Sequence, residues 1–120
     1  MKEEINFVEA ELINLGVIAQ KFNRDKAKRE FSFAIRNLSN LKEKNKKKEP
    51  ADKDFKAMKI LIERAEKLTA AGIRELPQNY SHLEEMKTNV FWHMAKIRAK
   101  IKEKKEKEKA RKIMLGITER

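Results

Sequence analysis

Apolar residues recur at intervals of three or four along most of the chain, which is the spacing that one face of an α-helix requires. Four such stripes can be traced, and a polar stretch near residue 24, Pro50 and a loop containing Pro77 separate them. The first stripe consists of Ile5, Val8, Leu12, Leu15, Ala19 and Phe22. No run alternates apolar and polar residues as a half-buried strand does. The pattern therefore predicts an all-α protein.

The stripes predict helices over residues 3–22, 25–47, 51–71 and 82–112. The helical phase slips near residue 24, and two interpretations stay open there: a second helix capped by Asn23 or Asp25, or one kinked helix. Gly72 stands where a left-handed cap would end the third helix, so residues 73–80 are predicted to be a loop. Ser81 and Glu84 then match a capping box at the start of the fourth helix.

Short connections make successive helices antiparallel neighbours. The fourth predicted helix is about 45 Å long, so its last turns would extend roughly 15 Å beyond the others. We therefore predict an antiparallel helical bundle of three to four helices with a long, projecting basic C-terminal helix. Residues 1–112 would form a single domain, and residues 113–120 an apolar, flexible C-terminal tip.

The composition removes several classes of protein from consideration. The chain has no cysteine, which excludes disulfide frameworks, thiolate nucleophiles and zinc ribbons. Its longest uncharged stretch, residues 12–20, is far shorter than the ~20 residues that cross a membrane. The first residues have mixed charge and no apolar run follows them, unlike a secretory signal. We expect an intracellular protein, cytoplasmic or, in a eukaryote, nuclear, with no membrane partner.

The positive charge is concentrated in two segments. Residues 42–48 carry a net charge of +4 and residues 96–112 a net charge of +7, which together equal the net charge of +11 of the chain. An up-and-down bundle would bring both segments to one end, which we call the lysine pole. Its predicted phosphate-binding residues are Lys44, Lys46, Lys47, Lys48, Lys100, Lys102, Lys104, Lys105, Lys107, Lys109, Arg111 and Lys112.

Localised positive charge favours an anionic partner, and nucleic acid is the most common one. Lysine acts as a point charge and not as a bidentate fork, so the lysine pole predicts binding to the backbone without sequence preference, to DNA or to RNA. We expect an accessory subunit of a larger nucleoprotein assembly. Residues 8–41 allow a second interpretation as a helix-turn-helix motif, although the glycine usual in its turn is missing.

A protein–protein interaction module is the alternative function, in which the lysines only improve solubility. Trp92 lies opposite the main apolar stripe of its helix, and Phe33 lies off the stripe of the second helix. The simpler interpretation places the first helix over Trp92. Otherwise Trp92 and Phe33 would contact a second copy or a partner protein, since tryptophan is frequent at the centre of interfaces. Ile113, Met114 and Leu115 form a further candidate contact.

Catalysis has little support in the sequence. His82 and His93 are too far apart along one helix to share a metal ion, and no carboxylate stands three or four residues from His93. Neither a glycine-rich phosphate loop nor a nucleophile elbow occurs. We therefore expect a protein that is not an enzyme, with no catalytic residue, metal, cofactor or small-molecule substrate.

Overall fold

The computed structural model describes residues 1–116, and every regular element in that range is α-helical. Helix α1 spans Lys2–Lys21, α2 spans Asp25–Asn45, α3 spans Asp52–Arg74 and α4 spans Leu83–Met114. Each helix packs against the next, and α1 also packs against α4. The four helices therefore form a closed antiparallel bundle. The predicted all-α class, bundle and long C-terminal helix are confirmed.

The core lies where the four apolar stripes meet. Its side chains come from all four helices and from Leu76 in the connection between α3 and α4. The largest fully buried residues are Phe31, Ile5, Leu12, Leu15, Leu38, Leu41, Met58, Ile62, Leu83, Met94, Ile97 and Val8. Apolar burial on this scale stabilises the fold at about 25 cal/mol per Å² removed from water. The helical spacing of these residues is thus the main determinant of the bundle.

The chain reverses direction between α1 and α2 at Asn23, which has a left-handed backbone with φ 55°. The amide of Asn23 donates to the Gln20 carbonyl, and that of Arg24 donates to the Ala19 carbonyl at 2.7 Å. This is the hydrogen-bond pattern of a Schellman C-cap, for which asparagine is the usual substitute for glycine. The kinked single helix is therefore wrong. Asn23 ends α1 and does not cap α2, whose N-cap is Arg24.

The same reversal rules out the helix-turn-helix interpretation. Lys42, near the end of α2, donates to Asn6 at 2.9 Å and pairs with Glu9 at 3.1 Å, near the start of α1. The two helices thus lie side by side over most of their length. In a helix-turn-helix motif they would cross at about 90–120°.

Gly72 is an interior residue of α3 and does not end it, so the predicted cap at this position is wrong. The helix continues to Arg74. Gly72 instead allows α3 to approach Phe31 of α2 closely, since an added Cβ would lie 2.5 Å from Cε1 of Phe31. The chain leaves α3 through Leu76, which is buried, and Gln78. The Gln78 side-chain amide donates to the carbonyls of Ile73 at 2.9 Å and Leu76 at 2.7 Å. It thereby adds hydrogen bonds at the carbonyl end of α3 and in the connection that follows.

The predicted capping box at Ser81 is also wrong. The N-cap of α4 is His82, which has a left-handed backbone with φ 69° and makes no side-chain cap. The start of α3 contains one half of a capping box, because the Asp54 carboxylate accepts a hydrogen bond from the Ala51 amide at 2.7 Å. Acidic residues at this position also interact favourably with the positive end of the helix dipole.

Helix α4 extends past the rest of the bundle. Ile101 is its last buried residue, although the helix continues to Met114. The molecule is correspondingly elongated, with extents of 57 × 21 × 19 Å. Ile113 and Met114, which were predicted to belong to a separate tip, form the last turn of α4. Residues 117–120 of the predicted tip lie outside the described residues.

Candidate nucleic-acid interface at the lysine pole

The two lysine segments meet at one end of the bundle. The ammonium group of Lys104 on α4 donates to the backbone carbonyl and to the side-chain oxygen of Asn45, both at 2.8 Å. Asn45 is the last residue of α2, within the first basic segment. The overlap of the two segments follows from the antiparallel order of the helices and from the length of α4.

Lys104 is itself held inside the protein structure. Partial burial lowers its pKa, and its two acceptors on Asn45 occupy two of the three ammonium donors. A cation at this place also interacts favourably with the negative end of the α2 dipole. The geometry therefore indicates that Lys104 joins α4 to α2, whereas the sequence had placed it among the phosphate-binding residues.

Other cations of the lysine pole are paired with carboxylates. Lys46 pairs with Glu43 at 2.9 Å, and Lys47 pairs with Asp54 at 2.9 Å. On α4, Lys107 pairs with Glu103 at 2.9 Å and Arg111 with Glu108 at 2.5 Å. Lys112 is engaged as well. Of these pairs, Lys46–Glu43 and Lys107–Glu103 are exposed. Such pairs contribute little to stability, typically up to about 1 kcal/mol, so phosphate could replace these two carboxylates at small cost.

Lys100 forms a stronger pair. It donates to Glu4 on α1, whose other carboxylate oxygen lies 3.2 Å from the amino group of Met1. The hydrogen bond from Lys100 is the main reason that the pKa of Glu4 falls to about 2. The pKa of Lys100 is raised in turn, chiefly by Glu4. Lys100 therefore connects α4 to the start of α1 and is poorly placed to bind phosphate.

Five of the predicted residues have no ion-pair partner within residues 1–116, and all five are exposed: Lys44, Lys48, Lys102, Lys105 and Lys109. Three of them, Lys102, Lys105 and Lys109, follow one another at intervals of three and four and so share one face of α4. The structure therefore reduces the twelve predicted residues to a smaller group of available cations.

Two further cations were missed by the sequence reasoning. Lys56 and Lys59 of α3 line the same groove as Lys102 and Lys105 of α4. Lys56 and Lys59 stand outside both lysine-rich segments, so charge counting along the chain overlooks them. Their spacing of three residues places them on one side of a helix, but only the rotation of α3 in the bundle reveals that this side faces α4.

The residues predicted to bind a partner do not form one surface. Trp92 is 56% exposed, so the expectation that α1 covers it is wrong. The Lys96 ammonium lies 3.7 Å from the centre of its indole ring. Phe33 is exposed on α2, which occupies the opposite corner of the bundle, and stands beside Arg36. Ile113, Met114 and Leu115 are exposed at the end of α4.

A ladder of rings connects α1 to α4 beside Trp92. Phe7 stacks on His93 with ring centres 3.8 Å apart, and Trp92 meets the edge of His93 at 5.0 Å. The Nδ1 atom of His93 lies 2.7 Å from the Asn89 carbonyl, which assigns the proton to Nδ1. His93 thus has a packing role that its position in the sequence does not indicate.

Within residues 1–116, no group of three histidine, cysteine, aspartate or glutamate residues could hold a metal ion. Over the same range, no helix combines the length and the apolar character that a membrane crossing demands. Comparisons with protein-family models, with curated proteins and with solved structures found no match for this chain.

Proposed function

We propose that this chain is a non-enzymatic protein that binds the nucleic-acid backbone through the lysine pole, as an accessory subunit of a larger nucleoprotein assembly. The observation that carries the proposal is the set of exposed lysines that have no ion-pair partner within residues 1–116, at the end where the two basic segments meet. Lys102, Lys105 and Lys109 form its centre.

The row on α4 suits a chain of phosphates. Seven residues of helix separate Lys102 from Lys109, a rise of about 10 Å. That length matches about three successive nucleotides of one strand of duplex DNA. Each ammonium group that neutralises a phosphate releases counterions, which makes the affinity fall steeply with salt.

The two arginines of the basic segments, Arg98 and Arg111, favour a protein that does not select a base sequence. Arg98 is bound to Glu66 at 2.5 Å, and Arg111 is bound to Glu108. Arginine is the residue that most often recognises guanine in a bidentate manner. With both guanidinium groups engaged, lysine supplies the charge that remains available at the lysine pole.

The experiment replaces Lys102, Lys105 and Lys109 by Glu and measures the binding of labelled duplex DNA and RNA by fluorescence anisotropy. We expect the triple variant to lose about 100-fold in affinity at about 50 mM salt. If all three lysines contact phosphate, the affinity of the unaltered protein should fall about 40-fold between about 50 and about 200 mM salt.

The matched control makes the same charge change elsewhere. Lys28, Lys67 and Lys87 are exposed and lie outside the lysine pole, and their replacement by Glu lowers the net charge equally. This variant should retain most of the affinity. Equal losses in both variants, or affinity that is indifferent to salt, would show that the lysine pole is no binding site.

The interaction module is a second candidate function, because the indole of Trp92 is exposed. The simplest version of this hypothesis is self-association of the protein through Trp92, the one tryptophan of the chain. Raising the protein concentration should then protect Trp92 from acrylamide quenching and increase the sedimentation coefficient, and Trp92→Asp should abolish both effects without changing the circular dichroism spectrum. A monomer with constant quenching at all concentrations is the opposing result.

A further inference from the structure

A groove of ≈ 650 Å³ runs between α3 and α4, beside the lysine pole. Its floor is apolar. The residues that form the floor are Phe55, Ile62, Ala95, Ala99 and Ile101. The groove is open because α4 has only alanine at residues 95 and 99, where it lies over Phe55 and Ile62 of α3. Both alanines are exposed. Larger apolar side chains at these two positions would fill the groove.

The rim of the groove is positively charged. Its cations are Lys56, Lys59, Arg98, Lys102 and Lys105. Arg98 is bound to Glu66 across the two helices, at 2.5 Å. The four lysines have no ion-pair partner in the part of the chain that the structure describes. The groove thus presents an apolar floor beside four lysines that have no carboxylate partner within residues 1–116.

We infer that the groove binds an amphipathic helix of a partner protein, with apolar side chains on one face and aspartate or glutamate on both sides of that face. Ala95 and Lys105 are ten residues apart on α4, a distance of about 15 Å. The groove therefore accommodates about three turns of helix, with apolar residues at positions i, i+3 or i+4, and i+7. This inference does not depend on nucleic-acid binding by the lysine pole.

The positive rim and the apolar floor of the groove decide which kind of molecule can bind there. A second copy of this chain is a poor one, because its net charge is +11 and the end of its α4 is basic. A nucleic-acid strand needs exposed aromatic faces for its bases if it is to use an apolar floor. Phe55 is the one aromatic residue that lines the groove, and it is 4% exposed. An acidic amphipathic helix satisfies both the floor and the rim.

The test uses a labelled, stapled helical peptide of about 14 residues, with leucine at i, i+4 and i+7 and glutamate beside them. Two control peptides replace either its glutamates by lysine or its leucines by alanine. We expect the unaltered protein to bind only the first peptide. Ala99→Trp should weaken that binding at least about tenfold by filling the groove. Ala95→Trp provides a second groove variant, and Ala110→Trp is a matched control outside the groove that should bind normally.

Several results would overturn the inference. Equal binding of the glutamate and lysine peptides would remove the role of the rim, and equal binding of the alanine peptide would remove that of the floor. Unchanged binding by both groove variants, with normal circular dichroism, would place the peptide elsewhere. A single-stranded oligonucleotide is measured in parallel: if Ala99→Trp weakens its binding and spares the peptide, the groove holds nucleic acid. If the protein does not bind nucleic acid through the lysine pole, the peptide experiment still tests the groove in the same way.

Discussion

Replacing Gly72 by alanine should destabilise the protein by about 1–3 kcal/mol, although alanine is normally the better helix former by about 1 kcal/mol. Gly72 lies inside α3, where an added Cβ would be 2.5 Å from Cε1 and 2.7 Å from Cζ of Phe31. Phe31 is 1% exposed and packs in the core, so its ring has no solvent to move into. Leucine at residue 72 should cost more than alanine. Urea denaturation measures both changes.

Gly16 provides the matched control. It also lies inside a helix, but nothing is within 4 Å of a Cβ added there. Gly16→Ala should therefore stabilise the protein by up to about 1 kcal/mol, opposite in sign to Gly72→Ala. Combining Gly72→Ala with Phe31→Leu should cost less than the sum of the two single changes, because the smaller side chain leaves room. A stabilising Gly72→Ala would show that the helices do not approach so closely.

Lys104→Glu should lower the free energy of unfolding by about 3 kcal/mol. The substitution removes the cation bound to two oxygens of Asn45, and it places a carboxylate against the negative end of α2. Lys104→Met, which keeps the length and removes the charge, should cost about 1–2 kcal/mol. Thermal and urea denaturation measure these losses.

Lys105 is the natural comparison, since it is the next residue and has no ion-pair partner within residues 1–116. Lys105→Glu should change stability by less than about 0.5 kcal/mol while weakening nucleic-acid binding. Lys104→Met should do the reverse: a less stable protein with nearly unchanged affinity. If the two lysines behave alike in both measurements, the structural role of Lys104 is wrong.

The positions and order of the helical segments could be predicted from apolar spacing, because that spacing is what the core requires. The separation of α1 from α2 and the helix ends could not. Asn23 and Gly72 are both residues that end helices, yet Asn23 alone does so, while Gly72 accommodates the ring of Phe31. Ser81 resembles a cap, but the chain starts α4 at Leu83 after a left-handed His82. Local signals of this kind compete with contacts that the sequence does not display.

The location of the lysine pole could be predicted from the sequence, but the lysines that are free to bind a ligand there could not. Counting charges locates the two basic segments, and helix lengths bring them together. Which lysines are available depends on side chains from other helices, such as Glu4 for Lys100 and Asn45 for Lys104. Lys56 and Lys59 belong to this surface because of the rotation of α3 in the bundle, which the sequence does not indicate.

The overhang of α4 has a thermodynamic consequence. Beyond Lys104 no described side chain of this helix is buried, so its last turns lack a core to hold them. Their order depends on a local helix–coil equilibrium, supported by pairs such as Glu103–Lys107 and Glu108–Arg111. Backbone amides there exchange with solvent far faster than those of the bundle. An anion that binds this overhang would slow that exchange, and part of its binding free energy would be spent in ordering the helix.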